Sequence, residues 1–167
     1  MWAPTTVADF GGNGVALSYF FPTAARGLGF LLHDRGANAA AWFERPEAAL
    51  LARHLVAAGY GVAALSSSDR SATATWATAA TAATNADLRN HAAALDKFTR
   101  ENLLPSSHPI FLLGFGTGAT AAEQFAHALA TGSPARPIAA VALLGAAGSE
   151  TLAVTSPRPH FLALPSS

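Results

Sequence analysis

Five short apolar runs recur along this chain without the alternation of a half-exposed strand: "LGFLL" at 28–32, "YGVAAL" at 60–65, "IFLL" at 110–113, "IAAVALL" at 138–144 and "HFLAL" at 160–164. Runs of this length that are apolar at every position have both faces covered, the condition of a parallel sheet held between layers of helix. The segments between the runs supply those helices. Pro46 sits where a first turn can spare its N–H, Glu47 complements the helix dipole, Leu51 and Leu55 fall one turn apart, and Gly59 ends the segment. Asn85 is placed to cap a second helix, with Leu88, Ala92, Leu95 and Phe98 along one stripe and Lys97 and Arg100 near its negative end. A third runs through Phe125 and Leu129 to Gly132. Strands alternating with helices predict an α/β fold, and no repeat or linker divides residues 1–167, so one domain is expected.

Two segments stand outside this alternation. In "VADFGGNGVALSYFF" the pair Asn13-Gly14 separates two apolar runs and predicts an antiparallel hairpin. The Ala/Thr-rich stretch "SATATWATAATAATNA", 71–86, has no clear period and reads as a surface loop.

Composition limits the partners. Ten basic and ten acidic side chains cancel, which leaves no electrostatic footprint for nucleic acid or an anionic membrane. The absence of cysteine rules out a disulfide framework and a thiolate metal site. The opening "MWAPTTVADFGG" lacks the basic and apolar regions of a signal peptide. Pro22, Arg26 and His33 interrupt the richest apolar region before it reaches the ~18 residues of a membrane helix. A soluble, cytoplasmic protein is expected.

The stretch "FLLGFGTGATAA", 111–122, leads a buried strand into a helix through Gly114, Gly116 and Gly118. Three chemistries use glycine in such a turn. A P-loop requires a Gly-Lys-Ser/Thr sequence to meet phosphate and magnesium, and none is present. The dinucleotide pattern G-x-G-x-x-G/A fits Gly114, Gly116 and Ala119, yet it belongs to the unit that opens a domain, with an acid ~20 residues on. Here position 134 is proline and the next acid after the following strand is Glu150. The nucleophile elbow G-x-S-x-G fits best: Gly114 and Gly118 let strand and helix approach closely, and the tip, where backbone strain is stored, is Gly116.

With "FLLHDRGANAAAWF" and "LVAAGYGVAALSSSDRSATATW", this elbow resembles the α/β-hydrolase superfamily, and more narrowly its uncharacterised α/β-hydrolase-like proteins; the matching residues span 30–122 well and the rest loosely. It implies a three-layer sandwich with a mostly parallel sheet and an N-terminal antiparallel hairpin, here without the last strand and helix. It also implies that one oxyanion-hole N–H comes from Thr117 and the other from Asp34 or Arg35, following His33. Gly116 stands at the nucleophile position. Asp34 replaces the usual glycine after the histidine and places a negative charge against a developing oxyanion. The family's acid follows its seventh strand and its histidine the eighth, and "HFLALPSS" stops just past what resembles the seventh.

The expected function is therefore a degenerate hydrolase-fold protein without hydrolase activity or cofactor. Three alternatives stand beside it: the N-terminal part of a working esterase-like or dienelactone-hydrolase-like enzyme, a module binding a small apolar ligand or a partner, and a Rossmann-type dinucleotide binder. Among the remaining candidates, His33 faces the presumed site as a loop-ordering residue or a ligand contact. Ser66, Ser67, Ser68 and Asp69 follow the second parallel strand at the edge where open α/β sheets bind ligands, and read either as a self-braced loop or as binding residues. His54, His91 and His127 are expected on helices, partly exposed; His108 and His160 are expected to be structural. The Thr117 hydroxyl is expected to cap a helix, and Glu150 to imitate an acid without a base to orient. An edge formed by Phe161, Leu162 and Leu164, shortened by Pro165, is expected to drive self-association.

Overall fold

The computed structural model describes residues 2–12, 14–77, 83–145 and 160–163, the last four by their backbone path. Seven strands are present: β1 (Thr5–Phe10), β2 (Val15–Phe20), β3 (Leu28–Leu32), β4 (Gly61–Leu65), β5 (Ile110–Phe115), β6 (Ile138–Leu144) and β7 (His160–Ala163). They form one sheet in the order β1-β2-β4-β3-β5-β6-β7. β1 and β2 make the predicted hairpin and β2 runs antiparallel to β4; every other pairing is parallel. Asn13, Glu150, Leu164 and Pro165 lie outside the described residues.

Successive side chains of the parallel strands serve opposite layers, as a two-period backbone requires. Leu28, Phe30 and Leu32 of β3, with Ala63 and Leu65 of β4 and Ile110 and Leu112 of β5, pack into a core shared with α3 (Ala86–Arg100) and α4 (Thr117–Thr131). Leu31, Val62 and Ala64 turn the other way, onto α1 (Ala41–Glu44) and α2 (Pro46–Ala57). β3 and β4 are buried at every position, so both of their faces are covered; β5 and β6 are buried toward α3 and α4 but only half-buried on the other face, where Phe115 is exposed.

α1 is a separate short helix that periodicity did not single out. Arg45, with φ −71° and ψ 132°, breaks it from α2, because the proline ring at 46 pushes the residue before it out of helical space. The Asn85 side chain accepts from the Leu88 N–H at 2.9 Å, the predicted cap of α3.

Two expectations are corrected. His91, read as partly exposed, is fully buried. Its ring lies 4.6 Å from that of Phe30 and 4.7 Å from that of Phe125, and its Nδ1 bonds the Asp87 carbonyl at 2.8 Å. The stretch 71–77, the described start of the segment read as a surface loop, is more than that, because Trp76 is only 6% exposed and packs into the core. His54 and His127 are exposed, and His108 is half-buried, as a structural residue beside β5. Among the described residues, no helix is long and apolar enough to cross a membrane.

Candidate functional site

β5 enters the triple-glycine turn at Gly114 and α4 leaves it at Thr117. A Cβ at Gly114 would stand 2.1 Å from the Gly118 carbonyl oxygen, and one at Gly118 would stand 2.4 Å from that of Leu32, so both outer glycines are needed for strand and helix to touch. At the tip Gly116 has φ 56° and ψ −121°, a conformation that strains any residue with a side chain. Its N–H bonds the Leu144 carbonyl at 2.9 Å and its carbonyl receives the Ala119 N–H at 3.0 Å, which ties the tip to the end of β6 and to the first turn of α4. The strand-to-helix turn is thus tight and tied on both sides, with no side chain at its apex.

Another residue fills that space. A Cβ on Gly116 would lie 2.0 Å from Oδ1 and 2.2 Å from Cγ of Asp34, so the Asp34 carboxylate occupies the volume where an elbow side chain would start. Its Oδ1 accepts the Thr117 N–H at 2.8 Å, the Arg35 N–H at 2.7 Å and the Thr117 hydroxyl at 3.3 Å. Among the described residues its Oδ2 has no hydrogen-bond partner. The Thr117 hydroxyl therefore bonds Asp34 rather than capping its own helix, and Asp34 brings the negative charge that the amino end of α4 favours.

The loop carrying Asp34 is held from behind. The His33 Nε2 accepts the Ser67 N–H at 3.0 Å, which leaves Nδ1 protonated to donate to the Asp34 carbonyl at 2.8 Å. Both ring nitrogens are engaged, and burial lowers the His33 pKa, so the ring is neutral near pH 7. Trp76 donates its indole N–H to the His33 carbonyl at 2.8 Å, and its ring lies tilted against the imidazole with centroids 4.5 Å apart. The Gly36 N–H reaches the Thr73 carbonyl at 2.7 Å, and the Ala39 N–H reaches the Ser66 hydroxyl at 3.1 Å.

Asp69 braces the opposing loop. Its carboxylate accepts the N–H groups of Thr75 and Ser71, each at 2.9 Å, and the hydroxyls of Thr75 and Thr73. These bonds, led by that from the Thr75 backbone, hold its pKa below the usual carboxylate range. Asp87 performs the same task from α3 by accepting the Ser68 and Ala77 N–H groups.

Beside Asp34 opens a cavity of about 410 Å³. Its wall is mostly apolar, from Trp42, Leu51, Phe115 and Leu144 with small alanines between them, and its charged members are Asp34, Arg45 and Glu47. Phe115, at the elbow, is 48% exposed. Of the residues singled out in the sequence, Gly116, Thr117, Asp34 and Arg35 meet at the turn, and His33 lies behind them on the cavity wall. Ser66 and Asp69 do not line the cavity and act as loop braces. Sequence reasoning missed Trp42, Arg45 and Phe115 as wall residues, and Trp76 and Asp87 as supports.

The sheet order, the antiparallel leading hairpin and the glycine-framed turn after β5 define an α/β-hydrolase fold. Solved structures agree. The chain superposes on an acetyl xylan esterase from Aspergillus awamori with a TM-score of 0.66 at 18% identity, covering 85% of this chain and 51% of that one. A thermostable carboxyl esterase from Bacillus coagulans gives 0.58 at 17% identity, covering 87% of this chain and 44% of that one. A cold-adapted esterase from an Arctic intertidal metagenomic library gives 0.54 at 17% identity, covering 84% and 58%. The likeness is one of fold, and the chain spans about half the length of these structures. No protein-family model and no curated protein matches the sequence.

Proposed function

We propose that this is a non-hydrolytic α/β-hydrolase-fold protein, in which the elbow and its amide donors persist as a scaffold and the oxyanion hole is filled by the chain's own carboxylate. The observation that carries this reading is the bonding of Asp34 Oδ1 to the Arg35 and Thr117 N–H groups at 2.7 and 2.8 Å. Those are the donors an acyl-transfer enzyme reserves for a developing oxyanion, and they act only when they are free to meet it. Here they meet the chain's own carboxylate oxygen. Gly116 offers no nucleophile, and His33, with both nitrogens occupied, is no general base.

The test is an assay with p-nitrophenyl acetate and butyrate. The expected result is no turnover above buffer from the unaltered chain or from Gly116→Ser. Saturable turnover that survives repurification and is lost with Asp34→Ala would overturn the proposal.

The cavity favours a second statement about the same protein. A volume of about 410 Å³ with an apolar wall and a few charged groups falls within the range of small-molecule sites, and supports a binding role.

A further inference from the structure

Asp34 reverses the polarity of the site, and that reversal carries an inference about what the cavity holds; it rests on the binding role just proposed. In a working oxyanion hole the protein donates and the ligand accepts. Here both amide donors are already used by Oδ1, so an ester carbonyl or a carboxylate entering the cavity finds no donor at the elbow and meets a negative charge instead. What the elbow offers is Oδ2, a carboxylate oxygen with no hydrogen-bond partner among the described residues, on a residue that lines the cavity. Such an oxygen calls for a donor.

The other charges on the wall do not cancel this demand. Asp34 and Glu47 are acidic, Arg45 alone is basic and His33 is neutral with both nitrogens bonded, which leaves one negative charge in excess. The carboxylate is also fixed before any ligand arrives. Its Oδ1 contacts and the bonds from Ala37 and His33 to its own carbonyl set its position, so little ordering cost falls on binding. Phe115, Trp42 and Leu51 provide apolar wall for a ring or a short alkyl body.

We infer that the cavity binds a small apolar amine, its protonated nitrogen donating to Asp34 Oδ2 and its body lying against Phe115, Trp42 and Leu51. A charge-assisted bond of this kind is stronger than its neutral counterpart, so the ammonium is preferred to an alcohol of the same shape. A carboxylate of that shape is rejected.

The experiment compares benzylamine, benzyl alcohol and benzoate on the 167-residue chain by titration calorimetry and ligand-observed NMR. Benzylamine is expected to bind at least about tenfold more tightly than benzyl alcohol, with an affinity that falls as salt is raised, and benzoate is expected not to bind. Asp34→Asn is the informative variant, because the amide oxygen keeps the Arg35 and Thr117 bonds while an NH₂ group replaces Oδ2, exchanging acceptor for donor. It is expected to abolish the preference for benzylamine and to raise the affinity for benzoate. Equal binding of amine and alcohol by the unaltered chain, or an amine preference that survives in Asp34→Asn, overturns the inference and leaves the binding role standing. Failure of all three probes to bind overturns both. The salt dependence is measured on the unaltered chain and so decides the matter even where the variant does not fold.

Discussion

The Asp34 carboxylate and the Thr117 N–H, 83 residues apart in sequence, meet at 2.8 Å across the top of the sheet. One contact joins the loop after β3 to the first turn of α4. It satisfies a helix amide that has no partner within its own helix, and it fills the space above Gly116.

Gly116→Ser places a hydroxyl at the middle of the G-x-S-x-G pattern at two costs. The added Cβ adopts a positive-φ conformation and also strikes Asp34, 2.0 Å away. A loss of about 2 to 4 kcal/mol is expected from strain and crowding together. Removing the obstacle with Asp34→Gly in the same chain leaves the strain and relieves the crowding. The two substitutions are therefore non-additive, and urea denaturation of the four proteins of the cycle is expected to give a coupling of at least about 1 kcal/mol. Additive effects would place Asp34 elsewhere.

Trp76→Phe keeps an aromatic ring in the core and deletes one N–H. The His33 carbonyl then loses the donor now held at 2.8 Å. Denaturant midpoints are expected to fall by an amount equivalent to about 1 to 2 kcal/mol, with an unchanged m-value. A midpoint equal to that of the unaltered chain would mean that the loop after β4 is not anchored through this bond.

Stability should also depend on pH through two histidines. Burial pushes the His91 pKa down to about 4 and lowers that of His33, so both stay neutral in the folded chain while the unfolded chain titrates near 6.5. Between those values the unfolded state binds more protons. Stability is therefore complete above about 6.5 and declines as pH falls toward about 4. Denaturation at pH 7 and pH 5 checks the direction, and His91→Leu should flatten the slope. A slope that persists unchanged in that variant would assign it to other groups.

The architecture was legible because it depends on local pattern. The runs at 28–32 and 138–144 are strands with those same bounds, Pro46 and Asn85 start helices, and the glycine turn lies between β5 and α4. His91 was misread although a signal was present: Leu88, His91, Leu95 and Phe98 follow one another at helical three- and four-residue steps, and all are buried. The stripe drawn through Ala92 overlooked this because a histidine counts as polar in such a pattern. "IFLL" stopped short of Phe115 because glycine reads as a strand ending, whereas Gly114 here pairs with Leu32 and Leu143. The site was legible only in outline. The sequence marks Gly116 and Asp34 as departures from the motif, but their spatial exchange depends on a contact between distant loops that no spacing rule encodes.

The most direct test of the central claim is the ¹H–¹⁵N spectrum of the unaltered chain and of Asp34→Ala, followed at the Thr117 and Arg35 amides. If the carboxylate fills the hole, both amide protons lie far downfield in the unaltered chain, as charge-assisted bonds of 2.7 and 2.8 Å require. Both then move upfield together in the variant, and only the variant's amides respond to added phenylphosphonate, an anion that can take the vacated place. Amide protons that do not move in Asp34→Ala, or that respond to phenylphosphonate in the unaltered chain, would contradict the account.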